Sequence, residues 1–159
     1  MYLLLLGSNL GNRKQQITDG IQSIKNEIGP VVKSSSFYET EPWGLTDQPA
    51  FLNVAIEVDS SIPPLDMLQK CRKIELAAGL KPSVQWGPRY LDIDILYHDG
   101  EIFSETELVI PHPKIAQRNF ALVPLMEIAG DFTDPVSNLS IEELYDQCED
   151  TSEVFLYEE

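Results

Sequence analysis

The apolar positions along the chain follow two different periods. Tyr2 to Leu6 is an uninterrupted apolar run stopped by Gly7, the pattern of a short buried strand. After a polar turn, Asn12 stands where a helix cap belongs. Ile17, Ile21, Ile24 and Ile28 then recur at spacings of four, three and four, one face of a helix. Gly29-Pro30 ends that helix. Val31 to Glu39 reads as a second strand. Phe51 to Val58 reads as a third, with Leu52, Val54, Ile56 and Val58 alternating onto one face. Pro63-Pro64 opens a second helix, striped by Met67, Cys71, Ile74 and Ala78, with Gly79 at its end. Leu91 to Tyr97 completes the series as a fourth strand, with Leu91, Ile93, Ile95 and Tyr97 on one face.

Strand, helix, strand, strand, helix, strand is the order of a split βαβ unit. The expected class is therefore α+β, with a ferredoxin-like βαββαβ core. Its helices would cover one sheet face and leave the other to loops and ligands. Further on, the pattern predicts a hairpin near Glu101 to Ile110 and a helix starting near Pro113. A short helix capped by Ser140, with Glu143 three residues later, follows. A last strand is expected from Val154 to Tyr157. No repeat or linker interrupts the 159 residues, which fit one domain over 1–159.

Composition narrows the function. Cys71 and Cys148 lie far apart and have no metal-ligand spacing, so a reduced, cytoplasmic protein is expected rather than a disulfide scaffold. No apolar run is long enough to span a membrane, and Met1 to Leu6 lacks the charged start of a signal peptide. The net charge of −15 argues against a nucleic-acid binder, which needs a basic surface. Seven of the 11 Lys and Arg residues fall between Lys70 and Arg118, and none follows. An anion site is better sought in the middle of the chain than in its acidic last part, which reads as a solvated face.

That middle contains Trp86-Gly87-Pro88-Arg89-Tyr90-Leu91-Asp92-Ile93-Asp94-Ile95. On a strand, Asp92 and Asp94 share a face, with Cα atoms about 6.5–7 Å apart. Two carboxylates this close repel, and a divalent cation with a taste for oxygen removes the penalty, as magnesium does. An exposed sheet face with ordinary polar residues would give the same pattern. Arg89 could be the salt-bridge partner of the pair, or could grip a phosphate through its planar fork. His112, fixed between Pro111 and Pro113 and followed by Lys114, Arg118 and Phe120, is either a structural hydrogen-bonder or a phosphate contact. Metal ligands, an arginine clamp and an imidazole suit phosphoryl chemistry, which is mostly positioning and charge neutralisation. Gly7 to Asn12 lacks the spacing and lysine of a phosphate loop and reads as a tight turn.

Taken together, these segments resemble the 6-hydroxymethyl-7,8-dihydropterin pyrophosphokinase family. The resemblance rests on Gly7-Ser8-Asn9-Leu10-Gly11, Ser35 to Tyr38 with Thr40 and Pro42, and Asp47-Gln48-Pro49. It continues through Phe51-Leu52-Asn53, Trp86 to Ile95, and Pro111-His112-Pro113 with Arg118 and Phe120. It implies a ferredoxin-like enzyme of folate biosynthesis that moves pyrophosphate from ATP to a pterin alcohol. By the same resemblance Asp92 and Asp94 bind two magnesium ions, and Asp92 also meets substrate. Arg89, His112 and Arg118 contact phosphates, and Lys81 stands in for arginines that relatives often carry in that loop. Glu75, Trp86 and Ile95 lie in or beside the ATP site. Phe51 and Phe120 sandwich the pterin, while Asn53 and the backbone from Thr40 through Pro42 to Trp43 bond its edge. Phe51 and Asn53 share the strand face opposite Leu52 and Val54, although Phe51 alone could be a packing residue.

The expected partners are ATP and the dihydropterin, with no nucleic acid, no membrane and a monomeric chain. The rival class is a ferredoxin-like module that binds a small ligand without chemistry. An ordinary kinase moving the γ-phosphoryl group is a second rival, separated only by the resemblance. Pro42 to Ala50 and Gly79 to Pro88, rich in Gly, Pro and polar residues, are expected to form a lid that closes over both substrates.

Overall fold

The computed structural model describes residues 1–41, 49–79 and 90–158. Its centre is an antiparallel six-stranded sheet. The strands are β1 (Tyr2–Ser8), β2 (Val31–Ser34), β3 (Tyr38–Thr40), β4 (Phe51–Val58), β5 (Asp92–His98) and, near the end of the chain, β8 (Val154–Leu156). Their order is β5-β1-β4-β3-β8, and β2 pairs with the far half of β4. A separate small hairpin joins β6 (Phe103–Ser104) to β7 (Val109–Ile110). Helices α1 (Arg13–Glu27) and α2 (Pro64–Ala78) precede a 3-10 turn at Ile115–Gln117, α3 (Asn119–Ala129) and α4 (Ile141–Gln147).

The expected strand at Val31–Glu39 is two strands, because Ser35 interrupts it. The Ser35 hydroxyl accepts the Ala55 backbone N–H at 2.9 Å. A side-chain oxygen thus takes the place of a ladder carbonyl, and the pairing with β4 restarts at Tyr38. Asn12 caps α1 as expected, its side chain accepting from the Gln15 N–H at 3.2 Å. The Ser140 capping box is present on α4. The helix expected near Pro113 begins later, at Asn119, after the 3-10 turn.

The sheet is packed on both sides. On one face Leu4, Leu6, Leu52, Val54, Ile56, Ile93 and Ile95 meet Ile17 and Ile24 of α1 and Met67, Cys71 and Ile74 of α2. On the other, Leu3, Leu5, Ala55, Leu96 and Tyr97 meet Leu122 and Leu125 of α3 and Ile141 and Leu144 of α4. Each fully buried leucine or isoleucine contributes about 1.5–3 kcal/mol. The second face is partly roofed by helix, where the pattern left it to loops and ligands.

The expectation that Tyr97 shares a face with Ile93 and Ile95 is corrected by a bulge. Leu4 pairs with Ile95 and Leu3 with Tyr97, which leaves Leu96 as one extra residue in β5. An extra residue reverses the side-chain alternation beyond it. Tyr97 thus joins Leu3 and Leu5, and its hydroxyl donates to buried Asp134 at 2.6 Å. Before the bulge, Asp92 and Asp94 keep their shared face.

Candidate active site

Cross-strand partners in an antiparallel sheet point the same way. The register sets Asp92 beside Gly7, Gly7 beside Asn53, and Asn53 beside Tyr38. One step along, Asp94 lies beside Leu5, and on the other side Phe51 lies beside Thr40. Asp92, Asp94, Asn53, Phe51 and Thr40 therefore all rise from one sheet face, the face that α3 partly covers. Strands are spaced about 4.8 Å apart, so the Asp92 and Asn53 backbones stand roughly 10 Å apart. Gly7 between them leaves a notch. A Cβ there would come 2.5 Å from Asn53 Oδ1.

Asn53 Nδ2 and Thr40 Oγ1 are buried and have no hydrogen-bond partner among the described residues. Buried donors are nearly always satisfied, so these two groups on one sheet face are suited to bonding a polar ligand. Phe51 at the start of β4 and Phe120 at the start of α3 are both half-buried.

Charge is concentrated at the other side of the notch. Arg118, the residue before α3, is 6% exposed and carries its guanidinium 5.3 Å from the centre of the Phe120 ring. Burial pulls its pKa below the ordinary value, against the negative charges of Asp94 and Asp92, which favour its charged form. His112 follows a cis Ile110–Pro111 bond, and its backbone N–H donates to the carbonyl of bulged Leu96 at 3.0 Å. Burial, then the charges of Arg118 and Lys114, lower the imidazole pKa to about 4. The ring is neutral at ordinary pH. Its Nδ1 accepts the Lys114 N–H at 3.1 Å, which leaves the proton on Nε2 as a donor. Glu75 reaches from α2 to accept the Ile93 N–H at 2.7 Å, holding β5 between its two aspartates.

Among the described residues, no group of three His, Cys, Asp or Glu side chains converges as a metal site. A pair of half-buried carboxylates still fits magnesium, which takes one or two carboxylates and fills its remaining positions with water and phosphate oxygens.

Residues 3–130 match the model of the 7,8-dihydro-6-hydroxymethylpterin-pyrophosphokinase (HPPK) family. The chain belongs to the HPPK family. A 2-amino-4-hydroxy-6-hydroxymethyldihydropteridine pyrophosphokinase of Methylorubrum extorquens is 42% identical over 127 residues, covering 79% of this chain and 80% of that protein. The same-named protein of Bacillus subtilis is 39% identical over 126 residues, 79% of this chain and 75% of that one. The "Folic acid synthesis protein fol1" of Pneumocystis carinii is 39% identical over 145 residues; these are 91% of this chain but only 20% of that protein. The HPPK-DHPS structure of Plasmodium falciparum with pteroate superposes with a TM-score of 0.75 at 16% identity, over 92% of this chain and 42% of that one. At that identity the likeness is one of fold.

Of the HPPK residues expected from sequence, Thr40, Phe51, Asn53, Asp92 and Asp94 are gathered on one sheet face, and Arg118 senses the charges of both aspartates. Ile95 has its side chain in the helix-facing core. Pro42, Trp43, Lys81, Trp86 and Arg89 lie outside the described residues, as does nearly all of the expected lid. Sequence reading missed Gly7 as the floor of the notch. A glycine inside an apolar strand is itself a sign of close approach.

Proposed function

We propose that this chain transfers the pyrophosphoryl group of ATP to the hydroxymethyl group of 6-hydroxymethyl-7,8-dihydropterin, releasing AMP, as a step of folate biosynthesis. One observation carries the reading. Asn53 and Thr40 present buried polar atoms without described partners, on the sheet face that also bears Asp92 and Asp94. A flat polar ring and a polyanion would answer those two halves. The HPPK relatives, named for this reaction, support the same assignment.

In this mechanism Phe51 and Phe120 hold the two faces of the pterin. Asn53, Thr40 and the backbone at Pro42 and Trp43 bond its edge. Asp92 and Asp94 would hold two magnesium ions, which neutralise phosphate charge when bound. Arg118, Arg89 and Lys81 steady the phosphates, and neutral His112 donates from Nε2. Glu75, Trp86 and Ile95 line the ATP side, Ile95 through its backbone on β5, the end strand of the sheet. The hydroxymethyl oxygen bonds to the β-phosphorus. The bond from that phosphorus to the α,β-bridging oxygen breaks, AMP leaves with that oxygen, and the hydroxyl proton is released. Positioning and fixed charge carry most of the catalysis.

We read the strand order with α1 and α2 on one face as the ferredoxin-like arrangement, and the whole chain as one monomeric, cytoplasmic catalytic unit. No described helix is long and apolar enough to cross a membrane. Chromatography of the nucleotide product tests the proposal: AMP is expected. ADP would make the chain a γ-phosphoryl kinase, and pterin binding without turnover would make it a binding module.

A further inference from the structure

Helix α3 starts in an unusual way. The side chains that ordinarily accept a first-turn N–H are Ser, Thr, Asp and Asn. Here the residue before the helix is Arg118, which can only donate, and its side chain makes no capping bond. The missing acceptor comes from elsewhere in the chain. Asp150 Oδ2 accepts the Asn119 N–H at 3.0 Å, and the Asp150 carbonyl accepts Asn119 Nδ2 at 2.6 Å. The other carboxylate oxygen accepts the Ser152 N–H at 2.9 Å. Asn119 sits between Arg118 and Phe120, the charged and the aromatic member of the site.

Soon after, the same segment becomes β8. Val154 pairs with Thr40, Phe155 with Glu39 and Leu156 with Tyr38. The Tyr157 N–H donates to the Phe37 carbonyl at 2.8 Å. Arg13 lies 5.4 Å from the centre of the Tyr157 ring and donates to Glu39 at 2.6 Å and to the Ala50 carbonyl at 3.0 Å. One short stretch thus grips both the helix start that presents Arg118 and Phe120 and the strand that presents Thr40.

We propose that residues 150–156, which lie beyond residues 3–130 matched by the family model, are a positioning strap for the pterin cleft. Asp150 is its positioning residue. It supplies the acceptor at the start of α3 that Arg118, a donor only, cannot offer, and so fixes the helix start that carries Arg118 and Phe120. A carboxylate at this helix end is also favoured by the helix dipole. Burial works against the ionised form of Asp150, but hydrogen bonds from Ser152 and Asn119 outweigh it and hold its carboxyl below the usual range. The inference rests on the pterin reading of the site.

The test uses the full chain, with calorimetric titration of the dihydropterin well below the melting temperature. Asp150→Ala should weaken pterin binding about three- to tenfold, the equivalent of a lost cap. Amide exchange at Asn119 and Phe120 should quicken at the same time. Asp150→Asn keeps one of the two acceptor oxygens and should fall between Asp150→Ala and the parent. It also carries the comparison if the alanine variant does not fold. Exposed Glu149, next to it, serves as the control: Glu149→Ala should match the parent. A lowered melting temperature with pterin affinity unchanged in both Asp150 variants would reduce the strap to a purely structural role and overturn the inference. A parent chain that fails to bind the dihydropterin at all would instead overturn the function proposed above, and the strap's role with it.

Discussion

A methyl group added at position 7 would lie 2.5 Å from Asn53 Oδ1. Gly7→Ala must therefore push Asn53 aside or bend the central strand, at a cost of about 1–3 kcal/mol. Melting should register that loss, and calorimetry should show pterin affinity falling more than ATP affinity. Asp92→Asn and Asp94→Asn should each lower turnover by more than about a hundredfold, since even groups that only orient a metal ligand matter by about 10–100-fold. Each single variant relieves carboxylate repulsion and leaves one of the two aspartates that favour the charge of Arg118, so their melting temperatures should stay close to the parent's. The double variant removes both charges from around a buried guanidinium. Losing a buried charge's partners costs about 3–5 kcal/mol, so a double variant as stable as the singles would contradict the electrostatic coupling. His112 gives a pH signature. Its pKa is about 4 in the fold against an ordinary 6.5, so between those values the unfolded chain takes up a proton that the folded one refuses. Stability should fall as pH drops through that window, by at most about 1.4 kcal/mol per pH unit. His112→Gln should flatten that slope in pH-dependent melting.

The elements themselves were mostly legible, because their periods are unambiguous. The isoleucine stripe of α1, the alternation in β4 and the capping box of α4 each depend on residues within a few positions of one another. The bulge at Leu96 was not legible. The apolar run Ile95-Leu96-Tyr97 ends the alternation without showing which residue is the extra one; that is decided by β1, which supplies Leu3 opposite Tyr97 and Leu4 opposite Ile95. The split at Ser35 was hidden for the same reason, since its hydroxyl acts on Ala55 of another strand. The aspartate pair could be read from Asp-x-Asp alternation alone. The notch needed Gly7 to be placed between Asp92 and Asn53, which is information about neighbours. Local and remote capping can be separated by experiment. Ser140→Ala removes the bond to the Glu143 N–H and should cost α4 about 1 kcal/mol, with pterin and ATP affinities unchanged. A shift in either affinity would mean that α4 communicates with the cleft through α3, against which it packs.

Across the whole molecule the dominant quantity is the charge of −15. ATP, itself an anion, approaches a surface of its own sign, and seven of the 11 basic residues are gathered between Lys70 and Arg118. Raising salt from low to physiological strength screens the long-range repulsion more than the buried contacts. ATP association, measured by stopped flow, should therefore quicken with salt over that range, opposite to the behaviour of a basic nucleotide binder. The pairing of β8 with β3 has a consequence in time as well as in space. Synthesis is vectorial, at about 5–20 residues per second. A growing chain carries β3 without its outer partner long before residues 150–156 exist to brace it. Through that interval the nascent protein can hold its helices and central strands while Asn119 has no Asp150 to bond. On refolding from denaturant, far-ultraviolet circular dichroism should accordingly recover before competence to bind the dihydropterin, because contacts between remote parts of a chain close last. Simultaneous recovery of the two signals would mean that the far end of the chain docks with the first collapse.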